Sequence, residues 1–424
     1  MKDKILYVIL IFLFFTSLTY SAEILSLKDV ILLGIKNNPQ IKISKKIKEQ
    51  YFYQKNVVRS QFFPYIYFEY TFQRSDLGKN LPAESLNLLG PTLNWNIFSG
   101  FSKWHDYKSA LRMIEAMDEA VKSQILNIAL NITNAYLEYF KQKALYQAAL
   151  SDLEDAKIIL KLAKKKYEVG LSPYADVLDA EAKVKEAEFK VINYKYFSEI
   201  AKAKVLTLIN YNILDIDKFE FLPVKEKEFK IDSLLKCIET ALKNRPELKA
   251  KNKEILAQKE KVKSAKGEYL PSIDVFANYY KKDSSFFPED DEEFFAGIKL
   301  SIPIFTGFLI KSKIERERAI LEQKNFEKNN LELQIKQEVF TNYKNLETAK
   351  ENYESAQAWL KSMEEDYKII KEKYKNGLAS IVDVTTILAR LSEARAQVIN
   401  SKYDLLQAYY ILQKSLGYIP GLQQ

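Results

Sequence analysis

Two stretches of 69 residues, 101–169 and 308–376, contain neither glycine nor proline, and each is bounded by glycines: Gly100 and Gly170, then Gly307 and Gly377. In a 424-residue chain holding 11 Gly and 11 Pro, this spacing predicts helices far longer than the three or four turns usual in globular proteins. At 1.5 Å per residue, an unbroken helix of that length extends about 100 Å. In the second stretch Ile335, Val339, Tyr343, Leu346, Tyr353, Ala356, Leu360, Met363, Tyr367, Ile370 and Tyr374 fall mainly three and four apart. That is a heptad-like stripe of the coiled-coil kind.

The chain repeats itself at a constant offset. "KNNPQIK" aligns with "KNRPELK", "QFFPYIY" with "EYLPSID", "NWNIFSG" with "SIPIFTG" and "KYEVGL" with "KYKNGL". The landmarks Pro39/Pro246, Pro64/Pro271, Gly100/Gly307 and Gly170/Gly377 all differ by 207, as 246 − 39 and 377 − 170 show. Internal self-similarity of this kind marks a tandem module. The expected division is a first repeat over 23–210, a linker or equatorial segment over 211–229, a second repeat over 230–417 and a tail over 418–424. Each repeat opens with a short amphipathic helix and a second helix started by Pro39 or Pro246. A hairpin (about 64–98; about 271–305), the long helix (about 101–169; about 308–376), a tip turn (170–173; 377–380) and a last helix follow.

The hairpins show period-two alternation, the signature of strands. Ile66, Phe68, Tyr70 and Phe72 share one face while Glu69, Thr71 and Gln73 share the other, and Leu93, Trp95 and Ile97 alternate with Asn94 and Asn96. In the second copy Ile273 and Val275 alternate with Asp274, and Ile298, Leu300, Ile302 and Ile304 with Lys299 and Ser301. Strands of nine to eleven residues are long enough to cross a bilayer when tilted. In lipid every backbone amide must be paired, so a four-stranded open sheet cannot stand alone. Membrane barrels begin at about eight strands, which requires several copies: two give eight strands, three twelve and four sixteen. The competing expectation is a soluble hairpin packed on the helices.

The N-terminus "MKDKILYVILIFLFFTSLTYSAE" has Lys2 and Lys4, an apolar run from Ile5 to Phe15, and small residues ending at Ser21 or Ala22. This predicts a signal peptide over 1–22, cut after Ser21 or after Ala22, and hence export. Composition narrows the chemistry. One Cys (Cys237) and one His (His105) leave no internal disulfide, no Cys-based metal cluster and little material for a His-dependent triad, so neither an enzyme nor a cofactor is expected. The net charge of +8 is spread as alternating signs along helices such as "KIERERAILEQKNFEKNN", the pattern of a solvated face, which argues against nucleic acid.

With the duplication, the "NNP" and "NRP" breaks, the "IFSG" and "IFTG" strand exits, and the turns "YEVGLSPYADVLDAEAKVKEAE" and "YKNGLASIVDVTTILARLSEAR", the mature chain resembles the outer-membrane efflux channel family, the TolC-like proteins. The resemblance implies a mainly α fold with a small β part. In it a homotrimer forms an α-helical barrel and a twelve-stranded transmembrane β-barrel in outer-membrane lipid, four strands coming from each chain. It implies a passive exit duct of a tripartite efflux or type I secretion system. A periplasmic adaptor (membrane fusion) protein would join it to an inner-membrane proton-driven (RND) or ABC transporter. The docking tip would be Gly170, Leu171 and Ser172 with Gly377, Leu378, Ala379 and Ser380, and the periplasmic gate Asp176, Asp179 and Asp383. Ala379 stands where some members carry a linking Arg, and Thr386 where another Asp could stand, which implies a gate latched more weakly or latched differently. Plain helix-start chemistry for Asp176 and Asp383 is the simpler expectation. The alternative function is a trimeric coiled-coil surface protein without a pore.

Overall fold

The computed structural model describes residues 23–75, 84–224, 232–289 and 291–422. The predicted signal peptide, the tip of the first hairpin (76–83), residues 225–231 and the last two residues of the tail lie outside the described residues.

The element order is β1 (Glu23–Leu25), α1 (Leu27–Asn37), α2 (Pro39–Ser60), β2 (Tyr65–Ser75), β3 (Glu84–Ser99), α3 (Ser102–Glu168), α4 (Tyr174–Leu208), then β4 (Phe219–Phe221), α5 (Leu234–Asn244), α6 (Pro246–Gly267), β5 (Ser272–Asp283), β6 (Asp291–Ser301), α7 (Leu309–Lys375) and α8 (Ile381–Ser415). Corresponding helices have equal lengths in the two copies: 11 residues for α1 and α5, 22 for α2 and α6, 67 for α3 and α7, 35 for α4 and α8. The fold is mainly helical with a small β part.

The strands break the symmetry. β3 is 16 residues long, whereas β6 stops after 11 at Ser301. Ile302 and Ile304, expected to continue the strand, lie beyond it, because Pro303 has no N–H for the ladder. Its counterpart Asn96 stays paired with Asp274. Both strand exits then turn on two consecutive left-handed residues, Gly100 (φ 59°) with Phe101 (φ 64°), and Gly307 (φ 58°) with Phe308 (φ 64°). At Gly100 a side chain is excluded twice over, since a Cβ there would stand 2.0 Å from the Gly267 carbonyl oxygen.

Two compact units cut across the repeats. One takes the described residues up to Ile41, Ile125–Cys237 and Glu338–Gln424; the other takes Lys42–Gln124 and Ile238–Gln337. The reason is that a 67-residue helix cannot fold back on itself, so like parts of the two copies pack together instead.

In the first unit Tyr136 is fully buried among Val30, Ile31, Ile132, Val205 and Phe221. Its hydroxyl sits between the carbonyls of Leu25 and Leu222. It thereby fixes the parallel pair β1·β4, in which Glu23 faces Phe219 and Leu25 faces Phe221. Within the expected linker or equatorial segment, the described residues supply β4. The Asn-Pro break is tied here as well: Asn38 accepts from the Gln40 amide (2.9 Å) and donates to the Leu208 carbonyl (2.7 Å).

In the second unit β2-β3-β5-β6 form one antiparallel sheet. The register brings Ile66, Phe68 and Tyr70 opposite Leu93, Pro91 and Leu89, and Val275 and Ile273 opposite Ile298 and Leu300, on a single apolar face. That face is bare in the chain, with Phe68 and Ile298 each 73% exposed. The outer edges of β2 and β6 have no strand partner among the described residues. Beside the sheet, α3 is tied to α6 by Ser102–Ser264 (2.8 Å), His105–Glu260 (2.7 Å), Asp106–Lys261 (3.0 Å) and Ser123–Glu247 (2.9 Å).

Candidate functional site

The predicted tip residues occupy the α3–α4 and α7–α8 turns, and both turns close α-helices in the same way. The Gly170 amide donates to the Tyr167 carbonyl (2.9 Å) and the Leu171 amide to that of Lys166 (2.8 Å). In the second copy Gly377 donates to Tyr374 (3.1 Å) and Leu378 to Lys373 (2.8 Å). This is the Schellman arrangement, which needs a left-handed residue at C′; Gly170 (φ 76°) and Gly377 (φ 80°) supply it. Leu171 and Leu378 project from the turns, each 76% exposed. Single exposed leucines are common, but two at matching positions form a paired apolar feature.

After the turns the copies part. Ser380 caps α8: its Oγ accepts from the Asp383 amide (3.2 Å), while its own amide donates to Asp383 Oδ2 (2.9 Å), a capping box. These bonds from the Ser380 backbone and side chain hold the Asp383 carboxyl below the usual carboxylate range. Ahead of α4 the N-cap is Pro173, with no side-chain cap. Ser172 Oγ is buried without a partner among the described residues. Asp176, at the place of Asp383, is half-buried; Asp179 is exposed one turn further on.

One apolar cluster joins the flanks of both turns, with Ala163 from α3, Ala180 from α4, Tyr374 from α7 and Ile381 and Val384 from α8; Ala379 packs against it. Lys166 lies 4.1 Å over the Tyr374 ring and donates to the Tyr374 carbonyl. The Tyr374 hydroxyl is buried without a partner among the described residues. Burial, and then the charge of Asp176, push its pKa up. The structure therefore brings Asp176 into the electrostatic field of Tyr374, and gives Asp383 a different neighbour.

Sequence reasoning missed a second constellation further along the helices. Arg395 of α8 donates to Asp152 Oδ1 (2.6 Å) and Asp155 Oδ2 (3.0 Å) of α3, and Tyr367 of α7 donates to Asp155 Oδ1 (3.2 Å). Burial opposes the guanidinium charge, but the two aspartates outweigh it and raise the Arg395 pKa. Tyr367 belongs to the heptad stripe and passed as core. Its hydroxyl was the available signal, since a buried phenol needs a polar partner. Among the described residues no cluster of His, Cys, Asp and Glu could hold a metal, and no helix is long and apolar enough to cross a membrane.

The outer membrane efflux protein family model matches residues 31–210 and 237–418. The chain belongs to the outer membrane efflux protein family. That family is one of outer membrane efflux proteins, which places this chain in the outer membrane. It is 21% identical over 320 residues to Protein CyaE of Bordetella pertussis, covering 74% of this chain and 66% of that one, just under two thirds of the relative's length. Against outer membrane protein TolC of Escherichia coli the identity is 22% over 422 residues, covering 90% and 80% of the two chains. The fold matches the crystal structure of CusC (TM-score 0.81, 14% identity, 92% of each chain). It also matches the Campylobacter jejuni CmeC outer membrane channel (TM-score 0.79, 20% identity, 92% of this chain and 85% of that one).

Proposed function

We propose that the protein is the passive exit duct of a tripartite efflux or type I secretion assembly, working as a homotrimer whose twelve strands close one β-barrel. The observation that carries this reading is the sheet, which has an apolar face, a polar face and two edges without a strand partner among the described residues. Leaving those edges open in lipid would cost several kcal/mol per unpaired group, so β6 of one copy pairs with β2 of the next. The chain performs no catalysis; a proton-driven or ABC transporter in the inner membrane supplies the energy, and an adaptor joins the two. Gly170, Leu171, Ser172, Gly377, Leu378, Ala379 and Ser380 are the docking tip, where the two exposed leucines offer apolar anchors. Asp176 and Asp179 carry the gate charge and favour cations; Asp383 serves the cap of α8 first and adds to that charge second.

The latch differs from a linking Arg at the turn, where Ala379 stands. Here Arg395 ties α8 to α3, and Tyr367 ties α7 to the same aspartate pair. Planar-bilayer recording of the purified protein tests the duct: discrete conductance steps that widen in Arg395→Ala are expected. A protein that stays soluble without detergent and gives no conductance overturns the reading in favour of a pore-free surface stalk.

A further inference from the structure

On the polar face of the sheet the register builds three adjacent rungs. Thr92, Asn278 and Phe295 form one, Asn94, Phe276 and Gly297 the next, and Asn96, Asp274 and Lys299 the third. All of these except Thr92 and Gly297, with Tyr65 and Lys103, line a cavity of about 590 Å³, within the size range of small-molecule sites. Its aromatic side is fixed in place. The rings of Phe276 and Phe295 lie 5.6 Å apart. A Cβ at Gly297 would stand 2.7 Å from the Phe276 ring, so the glycine makes room for the ring to lie across β6.

Its polar side is partly committed and partly open. Asn96 donates to Asp274 Oδ1 (2.7 Å), while Lys103 donates to the carbonyls of Gln61 (2.6 Å) and Asn96 (2.8 Å). Burial pushes the Lys103 ammonium pKa down and the Asp274 charge pulls it back. Two buried oxygens on this face, Thr92 Oγ1 and Asn96 Oδ1, have no partner among the described residues. Buried polar atoms of that kind are normally satisfied, by solvent or by a ligand. Lys299 is exposed and makes no ion pair among the described residues. Two ammonium groups against one carboxylate leave the cavity with an excess positive charge.

We propose that this cavity is a binding station for small aromatic anions, a ring carrying a carboxylate or sulfonate. The ring lies against Phe276 and Phe295, the anionic group meets the Lys299 ammonium, and the amides of Asn94 and Asn278 complete the polar contacts. The station rests on the reading that the polar sheet face lines the duct, and it makes the channel selective at the sheet as well as at the glycine turns.

The test is calorimetric titration of the full chain in lipid nanodiscs with 2-naphthalenesulfonate, empty discs serving as the blank. One probe per chain is expected. Lys299→Gln should weaken binding at least tenfold and Lys299→Arg less than threefold. Hexanesulfonate, which lacks the ring, and 2-naphthylmethylammonium, which reverses the charge, should each bind at least tenfold more weakly than the probe. Unchanged affinity in Lys299→Gln, equal binding of hexanesulfonate, or no binding to the parent overturns the station. Conductance of the same preparation is read separately, so a failed duct and an absent station give different results.

Discussion

The α3–α4 and α7–α8 turns share a backbone plan and differ in how the next helix begins. Both end in a glycine-centred Schellman motif, but Ser380 and Asp383 cap α8 reciprocally while Pro173 opens α4 without a side-chain cap. Asp176 and Asp383 stand at equivalent positions and do different work. One carboxylate is drawn into a cap; the other sits beside Tyr374 and adds to the rise that burial gives the Tyr374 pKa. Duplication supplied two copies of one turn, and a proline at the N-cap position left one of them with an acid free for another role.

Breaking what ties the two turns together should have the largest effect. The Asp152 side chain is only 10% exposed, and Arg395 is its charged partner at 2.6 Å. Arg395→Ala would leave Asp152 and Asp155 facing each other without a countercharge, at a cost of about 3 kcal/mol. Denaturant unfolding of the purified protein should show it, and Arg395→Lys should recover only part, since one ammonium replaces a guanidinium serving two carboxylates. An Arg395→Ala protein as stable as the parent would mean that the apolar cluster and the Lys166–Tyr374 and Tyr367–Asp155 contacts suffice to join the two turns.

Next in size are the glycines, where the copies should behave alike. Neither Gly170 nor Gly377 has an atom within 4 Å of an added Cβ, so an alanine meets strain and no clash. Holding a left-handed alanine costs about 1–2 kcal/mol. Gly170→Ala and Gly377→Ala should therefore destabilise equally in the same unfolding measurement. A marked inequality would show that the turns differ in backbone as well as in cap.

Ser380→Ala should cost about 1 kcal/mol, and its pH dependence follows from the depressed Asp383 pKa. A depressed carboxyl stabilises the fold above its unfolded value, near about 3.9, and that stability is lost as pH falls through the lower folded value. The gap between parent and Ser380→Ala should thus be full at about pH 6 and shrink below about pH 4. Ser172→Ala, by contrast, removes a hydroxyl without a partner and should leave stability unchanged or slightly raised.

Much of the fold was legible because it is written in punctuation. Glycine and proline at a constant offset marked both long helices, and the stripe from Ile335 to Tyr374 marked their buried side: Ile335, Val339, Leu346, Ala356, Tyr367 and Tyr374 are all buried. Pro303 stands inside the run expected to be strand, and Ser380 and Asp383 were expected at the tip and gate and not as a cap, although both signals stand in the local sequence; their meaning emerges when the copies are set side by side. Other features have no local signal. Three-residue strands such as β1 and β4 are too short to show a period, and they pair across nearly half the chain. Arg395 and Asp152 lie 243 positions apart, so nothing near either residue points to the other. The cavity on the sheet is likewise a product of register, which places Asn94, Asp274 and Lys299 on neighbouring rungs.

The smallest stability change, and the most direct trial of the comparison, comes from giving α4 the cap that α8 has. Pro173→Ser places a hydroxyl at the N-cap with Asp176 three residues on, the spacing of Ser380 and Asp383. A serine cap contributes about 1 kcal/mol, and loss of the proline's restriction on the unfolded chain takes back about 0.4–1 kcal/mol. Net stability should barely move. What should move is the Asp176 carboxylate, drawn toward the amide and hydroxyl that the substitution introduces and away from Tyr374. Cation selectivity in bilayer recordings should then fall toward that of Asp176→Ala while stability stays at the parent's value. If selectivity is unchanged in Pro173→Ser yet lost in Asp176→Ala, the cap does not compete for the carboxylate. The difference between the two turns would then lie in their neighbours, Lys166 and Tyr374 above all, and not in how the helices begin.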